Sequence, residues 1–127
     1  PEPSQKRLFV MEGPADDPFK GEWVFRGKPS PDVFSIDPTV YTAPDGVQYL
    51  CSSRVDPTYG QVLDICNLVN PYTYGENWAT IARAELDWEL VKPYVGGSAI
   101  VEGAFFLERN GRLFIIYSAN STEAAHS

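Results

Sequence analysis

Ile36-Asp37-Pro38-Thr39-Val40-Tyr41-Thr42-Ala43-Pro44-Asp45-Gly46-Val47-Gln48-Tyr49-Leu50 aligns without a gap against Val101-Glu102-Gly103-Ala104-Phe105-Phe106-Leu107-Glu108-Arg109-Asn110-Gly111-Arg112-Leu113-Phe114-Ile115, 65 residues further on. Both stretches read as strand, turn, strand, and both place one carboxylate in the second slot, Asp37 in the first copy and Glu102 in the second. Asp45-Gly46 falls on Asn110-Gly111, dipeptides whose tolerance of positive φ suits the two-residue turn of a β-hairpin. A repeat of this period, longer than one hairpin and close to a four-stranded unit, points to propeller blades. An acidic side chain at the entry of successive inner strands would then face the propeller axis, where such folds keep their active sites.

Working outward, period-two patterning and turn signals predict eight short strands and no helix, at 7–12, 22–26, 37–42, 47–53, 61–67, 80–86, 100–108 and 112–119. The linker Gly27-Lys28-Pro29-Ser30-Pro31 separates the first pair from the rest, and a loop with Trp88, Pro93 and Gly96-Gly97 precedes the last hairpin. A second echo sets Asp17-Pro18-Phe19 53 residues before Asn70-Pro71-Tyr72, and Phe9-Val10 the same distance before Val62-Leu63. The first two strands therefore correspond to the last two of the central unit. The expected organisation is one incomplete domain: residues 1–30 the outer strands of a first blade, 31–90 a complete second blade, and 91–127 the inner strands of a third. Tyr41 and Phe105 are expected to fill the space between sheets, and Trp23 and Trp78 to be packing residues.

Composition bounds the rest. A 127-residue chain with 43% hydrophobic and 13% aromatic residues is globular in type, and 11 prolines with 10 glycines favour β-structure over a helical bundle. The net charge of −7 argues against nucleic acid and against an anionic membrane surface as partners. No apolar run reaches the 18 or so residues of a membrane span, and no basic-then-apolar signal segment opens the chain. The chain has no initiator Met, which fits a processed protein or a segment of a longer one, and the blade count favours the segment. Propellers close with four to eight blades. Half-blades leave strand edges open, so self-association through them is expected. Cys51 and Cys66 either form a disulfide or stand as two buried thiols, the simpler reading. Asn120-Ser121-Thr122 matches a glycosylation sequon that matters only on a eukaryotic secretory route.

Ile36-Asp37-Pro38, Val101-Glu102-Gly103 and the run Arg109-Asn110-Gly111-Arg112-Leu113-Phe114-Ile115-Ile116-Tyr117-Ser118-Ala119 resemble glycoside hydrolase family 43, the five-bladed β-propeller arabinofuranosidases, xylosidases and arabinanases. Leu86-Asp87-Trp88-Glu89 and the 7–12 strand with its Asp-Pro turn and Phe25-Arg26-Gly27 extend the resemblance over nearly the whole chain. It implies an all-β segment of a five-bladed β-propeller, about two four-stranded antiparallel blades of the five. It also implies an inverting hydrolase of arabinose- or xylose-containing plant cell-wall polysaccharide, secreted in its parent form. By the same resemblance Glu102 matches the general acid, and Asp37 the aspartate that orients the acid and tunes its pKa. The general base, an aspartate on the innermost strand of the first blade, has no counterpart here. Asp16, Asp17 and Asp32 lie in loops and do not replace it. The family follows the acid with Gly-Pro, whereas Ala104 follows Gly103 here. Calcium occupies the central channel in parts of the family, but no ligand set for it is readable, and no metal or other cofactor is expected.

The chemistry points to the same pair. Glycoside hydrolysis by inversion needs a protonated carboxyl group at the leaving oxygen and an ionised carboxylate across the ring, about 6.5–9.5 Å away. A glutamate keeps its proton where burial or a neighbouring negative charge favours the neutral form, and Asp37 on the adjacent repeat is placed to supply that charge. For Asp37 the plain alternative is an Asp-Pro strand entry without chemistry. Glu102 is harder to dismiss, flanked as it is by Val101 and an apolar run. Trp88 either stacks on a sugar ring as a substrate-binding residue or packs in the core. His126, the single histidine, sits in a polar tail and supports neither a metal site nor a hydrolytic triad. The competing function is a non-catalytic carbohydrate-binding or structural propeller segment.

Overall fold

The structure, a computed structural model, describes residues 6–30, 32–90 and 99–120. Eight strands follow in order: β1 Val10–Glu12, β2 Val24–Gly27, β3 Ile36–Thr42, β4 Gln48–Asp56, β5 Gly60–Asn70, β6 Thr73–Arg83, β7 Val101–Arg109 and β8 Arg112–Ala119. No described residue is helical. They form three antiparallel sheets, β1-β2, β3-β4-β5-β6 and β7-β8. The middle sheet is an up-and-down, four-stranded blade.

Its two central strands are buried on both faces, which is why β4 carries Leu50, Cys51, Ser52 and Ser53 in succession, all buried. On one face Cys51 and Leu63 join Val101, Ala104 and Phe106 of the last hairpin, with Tyr41, Ile65 and Ile115 against them. On the other face Leu50, Cys66 and Tyr74 meet Leu8, Val33, Leu68 and Trp78. The middle blade is thus clamped between the chain segments that precede and follow it. Cys66 pairs with Leu50 across β4 and β5, so it shares Leu50's face while Cys51 points to the opposite one. Both thiols are free, and the alternation of the sheet keeps them from bridging. Burial pushes the Cys51 thiol up to about 12 and the Cys66 thiol up to about 11.

The turns explain where the patterning misleads. Asn110 and Gly111 both have positive φ, 53° and 68°, and make the expected two-residue turn between β7 and β8. Asp45-Gly46 does not. The Ala43 amide donates to the Val47 carbonyl and the Gly46 amide to the Ala43 carbonyl, both at 2.8 Å, around a three-residue loop in which only Gly46 is left-handed, because Pro44 fixes a negative φ at the turn's first corner. The second echo has a shared geometry. The Asp17 side-chain Oδ1 accepts from the Phe19 amide at 3.1 Å, and the Asn70 side-chain Oδ1 accepts from the Tyr72 amide at 2.9 Å. β6 begins at Thr73, seven residues before the expected start at 80. The Gly75-Glu76-Asn77 run hides that half from a hydrophobic pattern, and the register against β5 slips three times. Gly75 lies where the Asn67 side chain leaves no space for a Cβ.

Phe105 lies on the face of β7 turned away from the middle blade and so does not join the seam that Phe106 fills. It is 61% exposed while Phe106 is 8% exposed in the core, its ring centroid 5.7 Å from that of Tyr41. Trp78 packs edge-on against Tyr74 at 5.2 Å as expected of a core residue, whereas Trp23 lies half exposed over Gly13 and donates to the Pro18 carbonyl at 3.1 Å. Pro93, Gly96-Gly97, His126 and the last two residues of the sequon lie outside the described residues.

Candidate active site

Asp37 and Glu102 stand near the starts of β3 and β7, the first strands of neighbouring sheets, which pack against one another. Each strand carries a β-bulge at that point. On β3 the register against β4 shifts between Ile36 and Thr39, and on β7 the register against β8 shifts between Glu102 and Phe105. A bulge inserts one residue, bends its strand and re-aims the local side chains. It also moves every later residue of β7 to the other face, which is why Phe106 rather than Phe105 is buried.

The backbone solves the two bulges differently. Asp37 itself is left-handed, with φ 52°, a conformation that Asp tolerates better than other branched or bulky residues. On β7 the left-handed residue is Gly103, with φ 66°, one position after the carboxylate. The two bulges meet: the Gly103 amide donates to Asp37 Oδ2 at 3.3 Å. Asp37 is thereby tied to the residue that follows Glu102. Nearby, the Ser53 hydroxyl donates to the Val101 carbonyl at 2.9 Å in the buried seam between the sheets. Asp37 is exposed and Glu102 half-buried, so both carboxylates can be reached from solvent.

Several other acidic side chains have structural partners. Asp32 takes Arg7 and Lys28, Glu12 takes Arg26 and Tyr72, and Asp56 accepts from the Thr58 and Tyr59 amides. Buried Asp64 pairs with Arg54 and accepts from the Thr80 hydroxyl at 2.7 Å, satisfying a charge that the sheet interior otherwise disfavours. Among the described residues no group of three or more His, Cys, Asp or Glu could hold a metal ion.

Trp88 is not a core residue. It is 60% exposed on the turn after β6, and the Asn120 side-chain amide donates to its carbonyl at 2.8 Å. Asn120 follows the last residue of β8, and its own amide donates to the Ile100 carbonyl at 3.1 Å. That places the Trp88 backbone at the end of the β7–β8 hairpin from which Glu102 projects. Sequence reading passed over Glu89, the next residue. The Glu89 carboxylate is buried and accepts from the Glu85 and Leu86 amides and from the Tyr117 hydroxyl. Those amides hold it below the usual carboxylate range, and the Tyr117 hydroxyl adds to the effect. Glu89 is one of three acids alternating through Glu85-Leu86-Asp87-Trp88-Glu89-Leu90, so residue type alone did not single it out. A cleft of about 590 Å³ runs along β6 and this turn, lined by Thr80, Arg83, Glu85, Glu89 and Tyr117 among others.

The sequence profile of the glycosyl hydrolases family 43 matches residues 2–127. The chain is 35% identical over 121 residues to an extracellular exo-α-(1→5)-L-arabinofuranosidase of Streptomyces chartreusis, covering 92% of this chain and 35% of that protein. It is 33% identical over 129 residues to α-L-arabinofuranosidase B of Pyricularia oryzae, covering 96% and 25%. The crystal structure of an α-L-arabinofuranosidase from Lactobacillus brevis superposes with a TM-score of 0.76 at 30% identity, over 91% of this chain and 36% of that one. The chain thus spans about a quarter to a third of the length of these relatives. Its all-β sheets correspond to about two blades of their β-propeller. With the matching profile, the repeated carboxylate slots and the shared architecture, the chain belongs to glycosyl hydrolases family 43.

Proposed function

We propose that the protein cleaves α-L-arabinofuranosidic bonds in arabinose-containing polysaccharide or oligosaccharide with inversion of configuration. Glu102 is the general acid that protonates the leaving oxygen. Asp37 orients it and keeps a negative charge beside it. The observation that carries this reading is the bond from the Gly103 amide to Asp37 Oδ2, which couples the two carboxylate-bearing bulges. The coupling suits a pair acting on one oxygen, because the acid must be held within hydrogen-bond reach of its target. The arabinofuranosidase names of the relatives favour an arabinofuranoside over a xyloside. The extracellular name of the Streptomyces relative favours a secreted protein.

One observation favours the competing reading of a carbohydrate-binding or structural stretch: among the described residues Asp17 and Asp32 are committed to turn and ion-pair roles, and no carboxylate stands out as the base. Hydrolysis of aryl α-L-arabinofuranoside and aryl β-D-xyloside, followed by proton NMR of the first-formed sugar, separates the readings. In a protein that also carries the strand bearing the base, the expected result is cleavage of the arabinofuranoside with the β-anomer appearing first, whereas the 127-residue stretch alone is expected to lack hydrolysis. Saturable oligosaccharide binding without hydrolysis by that longer protein decides for the competing reading, and an α-anomer appearing first contradicts inversion.

A further inference from the structure

Glu89 is 2% exposed, and a carboxylate goes so deep only when its oxygens are satisfied. Its Oε2 accepts from the amides of Glu85 and Leu86, each at 2.9 Å, and its Oε1 accepts from the Tyr117 hydroxyl at 3.1 Å. The Glu89 amide in turn donates to the Leu86 carbonyl at 2.9 Å, so the turn is closed on itself as well as bolted to β8. Asn120 adds a second tie at the Trp88 carbonyl. The result is an unusual division. The Trp88 backbone is held by two anchors to the hairpin that bears Glu102, while the residue as a whole is 60% exposed. An indole offers a broad apolar face with a polar edge, and an aromatic platform fixed before the ligand arrives loses less conformational freedom on binding.

We propose that Glu89 is a positioning residue for substrate: it fixes the Leu86–Glu89 turn against Tyr117 so that Trp88 presents its indole to the sugar at the Glu102 end of the site. The proposal rests on the reading of Trp88 as a sugar contact. Glu89 acts through Trp88, so its loss changes sugar binding and leaves bond cleavage alone.

The test is a double-mutant cycle on arabino-oligosaccharide hydrolysis, combined with fluorine NMR of protein labelled with 5-fluorotryptophan, the Trp88 signal being assigned by Trp88→Phe. Glu89→Ala and Trp88→Ala are each expected to raise KM by about tenfold with kcat within about twofold, and the double variant to be no worse than Trp88→Ala alone. Glu89→Gln keeps a carbonyl oxygen for the two amides and is expected to restore KM. Additive KM effects, or a Glu89→Ala loss confined to kcat, overturn the proposal. If Trp88→Ala leaves KM unchanged, the sugar-contact reading fails. The positioning claim then stands or falls on the spectrum: Glu89→Ala must shift or broaden the Trp88 resonance while those of Trp23 and Trp78 stay in place, and an unmoved Trp88 signal overturns it. Should Glu89→Ala not fold, Tyr117→Phe removes the Oε1 bond alone. It is expected to move the Trp88 resonance, and no movement overturns the proposal.

Discussion

The β3–β4 and β7–β8 hairpins begin from the same sequence template and end as different devices. In the first, the carboxylate residue is itself the left-handed corner of the bulge, so Asp37 has its backbone fixed by the turn it makes. In the second, Gly103 takes the corner and leaves Glu102 in ordinary strand geometry, paired with Ser118 across the hairpin. The longer glutamate side chain therefore starts from regular backbone, while the shorter aspartate is set by a strained one. This is the division expected of a pair in which one member moves a proton and the other holds it in place. It also shows that a gapless repeat can conserve a bulge while shifting its strained residue by one position.

The largest effect that would break this comparison is on activity. Replacing Asp37 with Asn keeps a residue that tolerates positive φ but removes the charge, and kcat on an arabinofuranoside is expected to fall by about 10²–10⁴ with the fold intact by circular dichroism. Unchanged kcat would reduce Asp37 to a strand-entry residue. Leu63→Ala, in the seam that holds the two hairpins together, is expected to cost about 2–5 kcal/mol of unfolding free energy, since Leu63 is fully buried between the middle blade and the last hairpin. A value under about 1 kcal/mol in urea titration would show that the seam does not carry the packing. Gly103→Ala is expected to cost about 1–2 kcal/mol. The site has room for the methyl group, whose nearest neighbour is Ser118 Oγ at 3.7 Å, so the cost is that of left-handed backbone alone. Because Asp37 bears the corner on the other hairpin, Asp37→Gly should cost far less stability than Gly103→Ala, and the reverse order would contradict the account of the bulges.

Alkaline titration sharpens the packing side. Cys51 and Cys66 move from an ordinary 9.0 to about 12 and about 11 on folding. The unfolded chain therefore releases their protons first. Stability is full below pH 9 and is lost as pH rises through the folded values, at about 1.4 kcal/mol per pH unit for each ionising thiol. Cys51→Ser together with Cys66→Ser should remove that part of the slope. Native thiols should also resist alkylation at pH 8, and rapid labelling there would contradict their burial.

Much of the fold was legible because alternation and turn chemistry agree along the chain. Eight strands were expected and eight are found among the described residues, and the Asp-Pro and Asn-Pro turns repeat down to the hydrogen bond. What was not legible depends on tertiary packing. The first half of β6 carries Gly75 for the sake of Asn67, a contact that no local pattern announces. The burial of Phe106 in place of Phe105 follows from one inserted residue at the β7 bulge, and the three-residue loop at Asp45-Gly46 follows from Pro44. At the site, the repeat pointed to Asp37 and Glu102, but the Gly103 amide that joins them is a backbone group and leaves no trace in residue type. Glu89 was one of three alternating acids in residue type, and its three partners come from the chain folding back on itself.

The most direct test of the account is kcat for Glu102→Gln across aryl α-L-arabinofuranosides whose leaving groups range from poor to highly activated. A general acid is needed only where the leaving oxygen requires a proton. The account predicts a loss of about 10³ or more with the poorest leaving group, shrinking towards wild type with the most activated one. A loss of the same size across the series, or none at all, would contradict the assignment of Glu102 as the acid.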